Sequence, residues 1–150
     1  INKDLKYYIV KPGDTIFEIS KKSHLSLNDI IAYNSLEEPD FLLVNEVIFV
    51  PDIIAENENI KVLRFDKIEN RVYIAGVARV FEATVNYAFE NQAGKVLKEG
   101  FTTATIGGPL WGKFQFEVTD IPEKARYLLL FTISAKDGSR QNIIRLQLKN

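Results

Sequence analysis

Few side chains in this sequence are suited to acid–base, nucleophilic or metal chemistry. Its single histidine is His24, and it has no cysteine. The absence of cysteine excludes thiolate nucleophiles and Cys-ligated zinc, and one histidine cannot make a His-rich metal site. His24 lies between two predicted helices, where we interpret it as a turn residue rather than as a ligand or a base. The sequence therefore predicts no metal site and no cofactor.

Three neighbouring acids, Glu37, Glu38 and Asp40, come closest to a catalytic arrangement. Glycosidic cleavage needs two carboxyl groups about 5 to 9 Å apart, one of them buried enough to stay protonated. These three residues lie in a predicted loop, where we expect them to be solvated. We therefore predict that the chain is not an enzyme and has no catalytic residue.

A compact pattern of turns and helix caps surrounds these acids. A strand is predicted over 8–10, and it ends at Pro12 and Gly13, where a fixed φ is followed by a residue that tolerates φ > 0. Thr15 and Glu18 then have the T-x-x-E spacing of a capping box, which starts a helix by satisfying two backbone N–H groups.

A second helix is predicted to start in the same way. Ser26 and Asp29 have the spacing of a helix start, and Leu25 is placed to pack against Ile30 as a hydrophobic staple. A closing strand is predicted over 47–50. The order of elements is therefore strand, helix, helix, strand.

This arrangement resembles the LysM family, a β-α-α-β carbohydrate-binding module, and we assign it to residues 7–51. The residues that match belong to the turn, the helix faces and the closing strand: Pro12, Gly13, Asp14, Thr15, Ile16, Ile19, Leu25, Ser26, Leu27, Asn34, Leu36, Val47, Val50 and Pro51. Three positions depart from the family pattern, since His24 and Asn45 stand where the family has glycine and Val44 stands where it has proline. Histidine and asparagine tolerate left-handed backbone, so we expect the fold to be kept.

The resemblance implies a shallow groove between two loops. Carried over by residue, the first loop is Gly13, Asp14, Thr15 and Ile16, and the second is Asp40, Phe41, Leu42 and Leu43. The implied ligand is a chain of N-acetylglucosamine units, as in peptidoglycan or chitin. Asp14 and Thr15 also have a plain role as helix caps, and core packing is the alternative for two of the three apolar residues of the second loop.

The composition argues against two classes of partner. The chain has 19 basic and 20 acidic residues and a net charge of -1, with the two signs interspersed. It therefore lacks the basic field that binds nucleic acid. No apolar run approaches the roughly 18 residues that span a bilayer, so no membrane segment is predicted.

From residue 60 onward the apolar period changes from 3.6 to 2, as is typical of strands. One long extended run is predicted over 77–89, and shorter strands over 113–118, 126–134 and 142–148. Turn residues separate these runs: Asn91, Gly94, Gly107, Gly108, Pro109, Asp120, Pro122, Asp137, Gly138 and Ser139. About seven short strands with such spacing predict an all-β antiparallel sandwich over 60–150.

The faces of these strands can also be predicted. Phe114, Phe116 and Val118 share one face of their strand, whereas Leu128 and Leu130 make the second face of theirs apolar, as in a central strand. The preceding segment, 52–59, is polar and without periodicity. We interpret it as a linker, with a loop packed on one of the domains through Ile53 and Ile54 as the alternative.

The second half resembles the immunoglobulin-like domain of bacterial spore-germination and cell-envelope proteins. The residues that carry this resemblance are Gly76, Val80, Phe81, Glu82, Ala83, Gly94, Val96, Leu97, Gly112, Phe114, Ser134, Ala135, Asp137, Gly138 and Ser139. Glu82 is predicted on the polar face of its strand, facing solvent. Trp111 lies in a Gly-Pro loop, where an exposed ring would indicate a partner or glycan contact and a buried one, which we favour, would fill the core.

Together these patterns predict a non-catalytic, extracytoplasmic protein of the cell wall or spore envelope. The LysM-like unit would bind peptidoglycan, and the sandwich would act as a spacer or as a surface for an envelope protein. The alternative is a structural or protein-interaction module of the spore envelope or germination apparatus without glycan binding, using an exposed strand edge for its partner.

Overall fold

The computed structural model describes residues 7–23, 25, 27–50 and 53–148. These residues fall into two compact units, one ending at Val50 and one beginning at Ile53. The first unit contains β1 (Tyr7–Ile9), α1 (Ile16–Ser23), α2 (Leu27–Asn34) and β2 (Val47–Phe49). The predicted β-α-α-β order is confirmed, with β1 and β2 paired antiparallel.

Helix α1 begins where its cap predicts. Gly13 has φ 87°, so the turn uses the left-handed backbone that glycine tolerates. The Glu18 N–H donates to the Thr15 hydroxyl oxygen at 3.3 Å, and that hydroxyl in turn donates to the Glu18 carboxylate at 3.3 Å. One half of the reciprocal capping box is thus present, because the carboxylate meets the Thr15 hydroxyl instead of a backbone N–H.

The core of the first unit comes from both helices, from β2, from the residue that follows β1 and from the segment between the helices. Its buried apolar residues are Val10, Ile16, Ile19, Leu25, Ile30 and Ile48. The predicted staple residues, Leu25 and Ile30, are both in this set. Ser26 and His24, which we assigned to the second cap and to the turn between the helices, lie outside the described residues.

The second unit is built of strands. They are β3 (Ala55–Glu56), β4 (Ile60–Ile68), β5 (Arg71–Ala78), β6 (Thr84–Glu90), β7 (Val96–Thr103), β8 (Gly112–Val118), β9 (Tyr127–Ile133) and β10 (Arg140–Gln147). They form two antiparallel four-stranded sheets, a first sheet of order β3-β4-β5-β8 and a second sheet of order β10-β9-β6-β7. The predicted all-β sandwich is confirmed, with one apolar core that draws on both sheets.

The predicted strand faces are confirmed. Phe114 and Val118 are buried in the core of the sandwich, and Phe116 packs against it. Strand β9 lies inside the second sheet, between β10 and β6, and both Leu128 and Leu130 are fully buried. Its other face is apolar because Leu129 and Phe131 form a second buried cluster on the outside of that sheet.

The long extended run predicted over 77–89 is wrong. The chain leaves β5 at Ala78, makes a 3-10 turn over Phe81–Ala83 and enters β6, which belongs to the other sheet. Glu82 and Ala83 have φ of 53° and 57°, so two residues in left-handed backbone break the alternation. Glu82 consequently lies in a turn rather than on a strand, although it faces solvent as expected.

Residues 55–56 of the segment predicted as a linker form β3. The Ile54 N–H donates to the Val62 carbonyl at 2.8 Å, and Ala55 pairs with Val62 across the strands. Both Ile53 and Ile54 are half-buried. Part of the segment 52–59 is therefore held on the second unit, as in the alternative that the sequence left open.

Close packing between strands explains two glycines of the sandwich. A Cβ on Gly76 would collide with the Lys61 backbone carbonyl and lie 2.9 Å from the Phe114 ring. A Cβ on Gly100 would meet the ring of Tyr87, which stacks on Phe116 of the opposite sheet at 4.9 Å between centroids. Both positions therefore need glycine for space rather than for backbone freedom.

Trp111 is half-buried, between the two alternatives that we considered. The Lys61 ammonium lies 4.9 Å and the Arg79 guanidinium 5.0 Å from the centroid of its ring. The indole therefore serves as a partner for two cations of its own domain.

Candidate functional site

An aspartate fixes the first of the two predicted loops. One carboxylate oxygen of Asp14, Oδ2, accepts a hydrogen bond from the Lys11 backbone N–H at 2.7 Å and another from the Tyr8 hydroxyl at 2.8 Å. The Asp14 N–H closes the turn by donating to the Lys11 carbonyl at 3.1 Å. Strand β1 and the loop that follows it are thus joined through one side chain.

These hydrogen bonds stabilise the charged form of Asp14. The Lys11 N–H, followed by the Tyr8 hydroxyl, holds the pKa of Asp14 below its ordinary value of 3.8. The same contact raises the pKa of Tyr8 above 10.0. At neutral pH Asp14 is therefore an anion that organises its loop, and it has no proton to give as a general acid.

The other residues of the first loop differ in what they offer to a ligand. Gly13 and Thr15 are exposed, and Asp14 is half-buried. Ile16 is 5% exposed and belongs to the core. A ligand at this loop would therefore meet the backbone of Ile16 and not its side chain.

The second loop presents apolar side chains to solvent. Phe41 is 74% and Leu43 72% exposed, while Leu42 is half-buried and Asp40 is exposed. The alternative that two of the three apolar residues pack in the core is therefore wrong. The predicted site is an open surface that carries two large apolar groups.

Backbone and side-chain hydrogen bonds hold this exposed loop in place. The Glu46 carboxylate accepts from the Leu43 N–H at 2.9 Å, and the Glu46 N–H donates to the Leu43 carbonyl at 3.0 Å. The Phe41 N–H donates to the Glu38 carbonyl at 3.0 Å. Asn45 adopts φ 72°, as we expected of a residue that replaces glycine. The loop is therefore ordered while its apolar side chains remain in water.

The two loops leave the same end of the small sheet. Ile9 of β1 lies opposite Val47 of β2 in the antiparallel register. Beyond that pair, the Val10 N–H donates to the Glu46 carbonyl at 2.9 Å and the Asn45 N–H donates to the Val10 carbonyl at 2.8 Å. The residue that leads into the first loop is therefore hydrogen-bonded to the residues that follow the second loop.

Two positioning residues were not predicted as such from the sequence. The Asn34 side-chain amide donates to the Phe49 carbonyl at 2.9 Å and accepts from the Phe49 N–H at 2.8 Å, so it pairs with β2 as a neighbouring strand would. It also donates to the Ile30 carbonyl at 2.9 Å. Asn34 belongs to the family pattern, but its hydrogen bonds to Phe49, fifteen residues away, could not be predicted from it. The contact between Tyr8 and Asp14 had no sequence signal.

The acids weighed as a catalytic set are all exposed. Glu37, Glu38 and Asp40 lie in solvent, as expected, and none is buried as a protonated acid would be. Within the described residues, no three acidic or histidine side chains converge as metal ligands would. In the same part of the chain, every helix is too short or too polar to cross a membrane.

Two protein-family models match this chain. The model of the LysM domain matches residues 8–51, and a model described as the immunoglobulin-like domain of bacterial spore germination matches residues 63–139, just over half of the chain. No curated protein and no solved structure gives a significant match. The first match contains both loops of the candidate site, and the second contains most of the sandwich.

Proposed function

The chain belongs to the family of the immunoglobulin-like domain of bacterial spore germination and carries a LysM domain before it, and we propose that it binds N-acetylglucosamine-containing glycan. In this proposal the LysM domain, residues 7–51, binds peptidoglycan. The sandwich domain, residues 60–150 with 52–59 before it, acts as a spacer or a protein-interaction module. The protein is then located in the cell wall or spore envelope.

The observation that supports this proposal most strongly is the exposure of Phe41 and Leu43 on an ordered loop. Burying a side chain of this size stabilises a protein by about 1.5 to 3 kcal/mol. A module with a small core forgoes this stabilisation when it leaves such side chains in water. Two neighbouring apolar side chains held in water beside a second ordered loop are typical of a binding surface.

The chemistry of the two loops fits an acetylated amino sugar. Phe41, Leu42 and Leu43 provide apolar contacts for the acetamido methyl group and for the C–H faces of the sugar. Backbone groups of residues 13–16 and of residue 40, other than the Asp14 N–H that closes its turn, provide hydrogen bonds to the acetamido and hydroxyl groups. Asp14 acts on its own loop and keeps these groups in position.

No catalytic step is part of the proposal. LysM and immunoglobulin-like domains are typically binding modules, and the exposed acids of the second loop lack the burial that a general acid requires. The chain is expected to retain peptidoglycan without releasing fragments from it.

A peptidoglycan pulldown of the full chain tests the proposal. Because the ligand is held by shape and by uncharged hydrogen bonds, retention is expected to be similar at low ionic strength and at about 1 M salt, where the Debye length is only about 3 Å. A double variant, Phe41→Ala with Leu43→Ala, is expected to lose retention. Absence of retention of the unchanged chain at both salt concentrations would favour the structural or protein-interaction alternative.

A further inference from the structure

Two neighbouring cavities of the sandwich domain are lined in part by its second sheet. One, of about 600 Å³, lies between the turn after β5, the start of β6 and the facing ends of β9 and β10. The other, of about 320 Å³, lies over β6, β7 and β9. Both are lined by Asn86 and Ile133, and the two together are here called the sheet groove. Each volume is in the range of small-ligand sites.

The register of the strands determines which side chains face the groove. Asn86 lies opposite Phe101 of β7 and opposite Phe131 of β9, so these three side chains form a row across the outer face. The inner face of β6 is occupied by Val85 and Phe89, which belong to the core. The two phenylalanines are two strand spacings apart, about 10 Å, with the Asn86 amide between them.

The groove exposes apolar side chains along its length. Phe101 is 66%, Ile133 54% and Phe81 77% exposed. Phe131 is 5% exposed, and its ring is covered by the Arg140 guanidinium at 4.3 Å from the centroid. The groove thus has exposed apolar side chains at its edges and a buried phenylalanine at its base.

At the wider end, neutral polar groups are held in a fixed arrangement. The Asn59 amide donates to the Asn142 side-chain oxygen at 2.8 Å, and the Asn142 amide donates to the Thr132 hydroxyl at 2.9 Å. Asn142 lies in the irregular register between Gln141 and Ile144 and has φ 54°. Side chains that are already hydrogen-bonded lose little conformational freedom when they bind a ligand.

The arginines that line the groove are engaged by the protein itself. Arg140 forms an ion pair with Glu90 at 3.0 Å. Arg79 donates to the Asn59 side-chain oxygen at 3.2 Å, and its guanidinium lies over the Trp111 ring. The other charges on the lining are acidic, from Glu82 and Glu99, and both are exposed. A polyanion would therefore be bound poorly here.

We propose that the sheet groove is a second glycan site, which binds a neutral oligosaccharide on the sandwich domain. The C–H faces of the sugar rings lie against Phe101 and Ile133, and their hydroxyl or acetamido groups pair with Asn86 and with the amides at the wider end. This combination of apolar faces and uncharged donors and acceptors suits a polyhydroxylated ligand. The inference goes beyond the function proposed for the LysM domain, because none of its residues belongs to that domain.

Two sites on one chain would increase the avidity of the protein for a polymeric ligand. When one site is occupied, the other meets the same polymer at a high effective concentration. The chain would then be retained on an insoluble glycan more strongly than either site alone provides.

The test is a titration of the full chain, followed residue by residue through its backbone amides in NMR spectra. The probes are the soluble tetramer of N-acetylglucosamine and, in a separate titration, a tetramer of glucose. With at least one of them, the amides of Asn86, Phe101 and Ile133 are expected to shift and to saturate. Phe101→Ala and, independently, Asn86→Ala are expected to weaken this binding by about tenfold or more.

The controls separate the two sites and exclude unfolding. Phe101→Ala is expected to leave the shifts of the loop amides around Phe41 unchanged. Ile68→Ala removes an apolar side chain of similar exposure, 69%, from the first sheet and is expected to change neither set of shifts. Preserved signals elsewhere in the sandwich show that a variant is folded.

The outcomes of the two proposals are distinct. If neither tetramer shifts the groove amides while the loop amides respond, the sheet groove is not a glycan site and the LysM proposal stands. If the groove amides respond and the loop amides do not, the LysM proposal fails and the second site stands. If neither the groove amides nor the loop amides shift with either tetramer, both proposals fail.

Discussion

Replacing Phe41 with alanine is expected to weaken the binding of the N-acetylglucosamine tetramer to the LysM loops about nine- to twenty-five-fold. A phenylalanine side chain carries roughly 200 Å² of surface, of which 74% is exposed on Phe41. If the sugar covers between a third and a half of that exposed part, it buries about 50 to 75 Å² of apolar area. At about 25 cal/mol per Å², this contributes about 1.3 to 1.9 kcal/mol, which corresponds to the stated change in affinity.

The affinity is best measured from the amide shifts of residues 13–16 and 40–43 in the full chain. Shifts at these positions report binding to the LysM loops separately from any binding elsewhere. Ile68→Ala is the matched control, since it deletes an apolar side chain that is 69% exposed in the other domain. Its affinity at the loops is expected to equal that of the unchanged chain.

The stability of the variant checks the reasoning independently. Because Phe41 lies mostly in water, its removal is expected to change the free energy of unfolding by no more than about 0.5 kcal/mol. An affinity within twofold of the unchanged chain, measured on a folded variant, would show that Phe41 does not contact the sugar. A large loss of stability would show instead that the side chain supports the fold.

Three further predictions concern the stability of the two domains. The pKa of Asp14 is lowered in the folded state, so its ionised form stabilises the LysM domain above pH 3.8, and this contribution is lost as the pH falls through the folded-state pKa. The melting temperature of Asp14→Asn is therefore expected to lie below that of the unchanged chain at neutral pH and to approach it under acid conditions. Asn34→Ala removes three hydrogen bonds and is expected to lower the stability of the LysM domain by about 1 to 3 kcal/mol, measured by amide exchange across β2. Gly76→Ala is expected to destabilise the sandwich by about 3 kcal/mol in denaturant unfolding, whereas a normal transition would mean that the Lys61 carbonyl can move aside.

The parts of the fold that the sequence predicts well depend on local chemistry. The turn at Gly13, the cap at Thr15 and the alternation in β8 each involve residues a few positions apart, and each is present in the structure. The left-handed Asn45 belongs to the same class, since the tolerance of asparagine for that backbone is a property of a single residue.

The features that escaped prediction depend on residues that are distant in the chain or on backbone that overrides a pattern. The apolar alternation of the sequence continues through Glu82 and Ala83, yet both adopt left-handed backbone. The sequence does not predict this conformation, because neither residue is glycine or asparagine. The pairing of Asn34 with Phe49 requires the tertiary fold.

For the candidate site, the positions of the two loops were predictable, whereas the exposure of their side chains was not. The family pattern placed both loops, and the chain connects them at one end of the small sheet. Whether Phe41 and Leu43 are core residues or surface residues could not be decided from their types, because an apolar side chain suits both. The exposed fraction of each side chain, which depends on the whole fold, decides it.

The hydrogen bonds that Asp14 makes to its own loop have a kinetic implication. A receptor whose recognition groups are already in place needs no rearrangement when it meets a sugar, so association is expected not to be slowed by a conformational step and to reach at least about 10⁵ to 10⁷ M⁻¹s⁻¹. With a modest affinity, such a receptor also releases its ligand quickly. On a wall made of many equivalent sugar units, the protein would then move from unit to unit and redistribute as the wall is remodelled, while remaining attached to the layer as a whole.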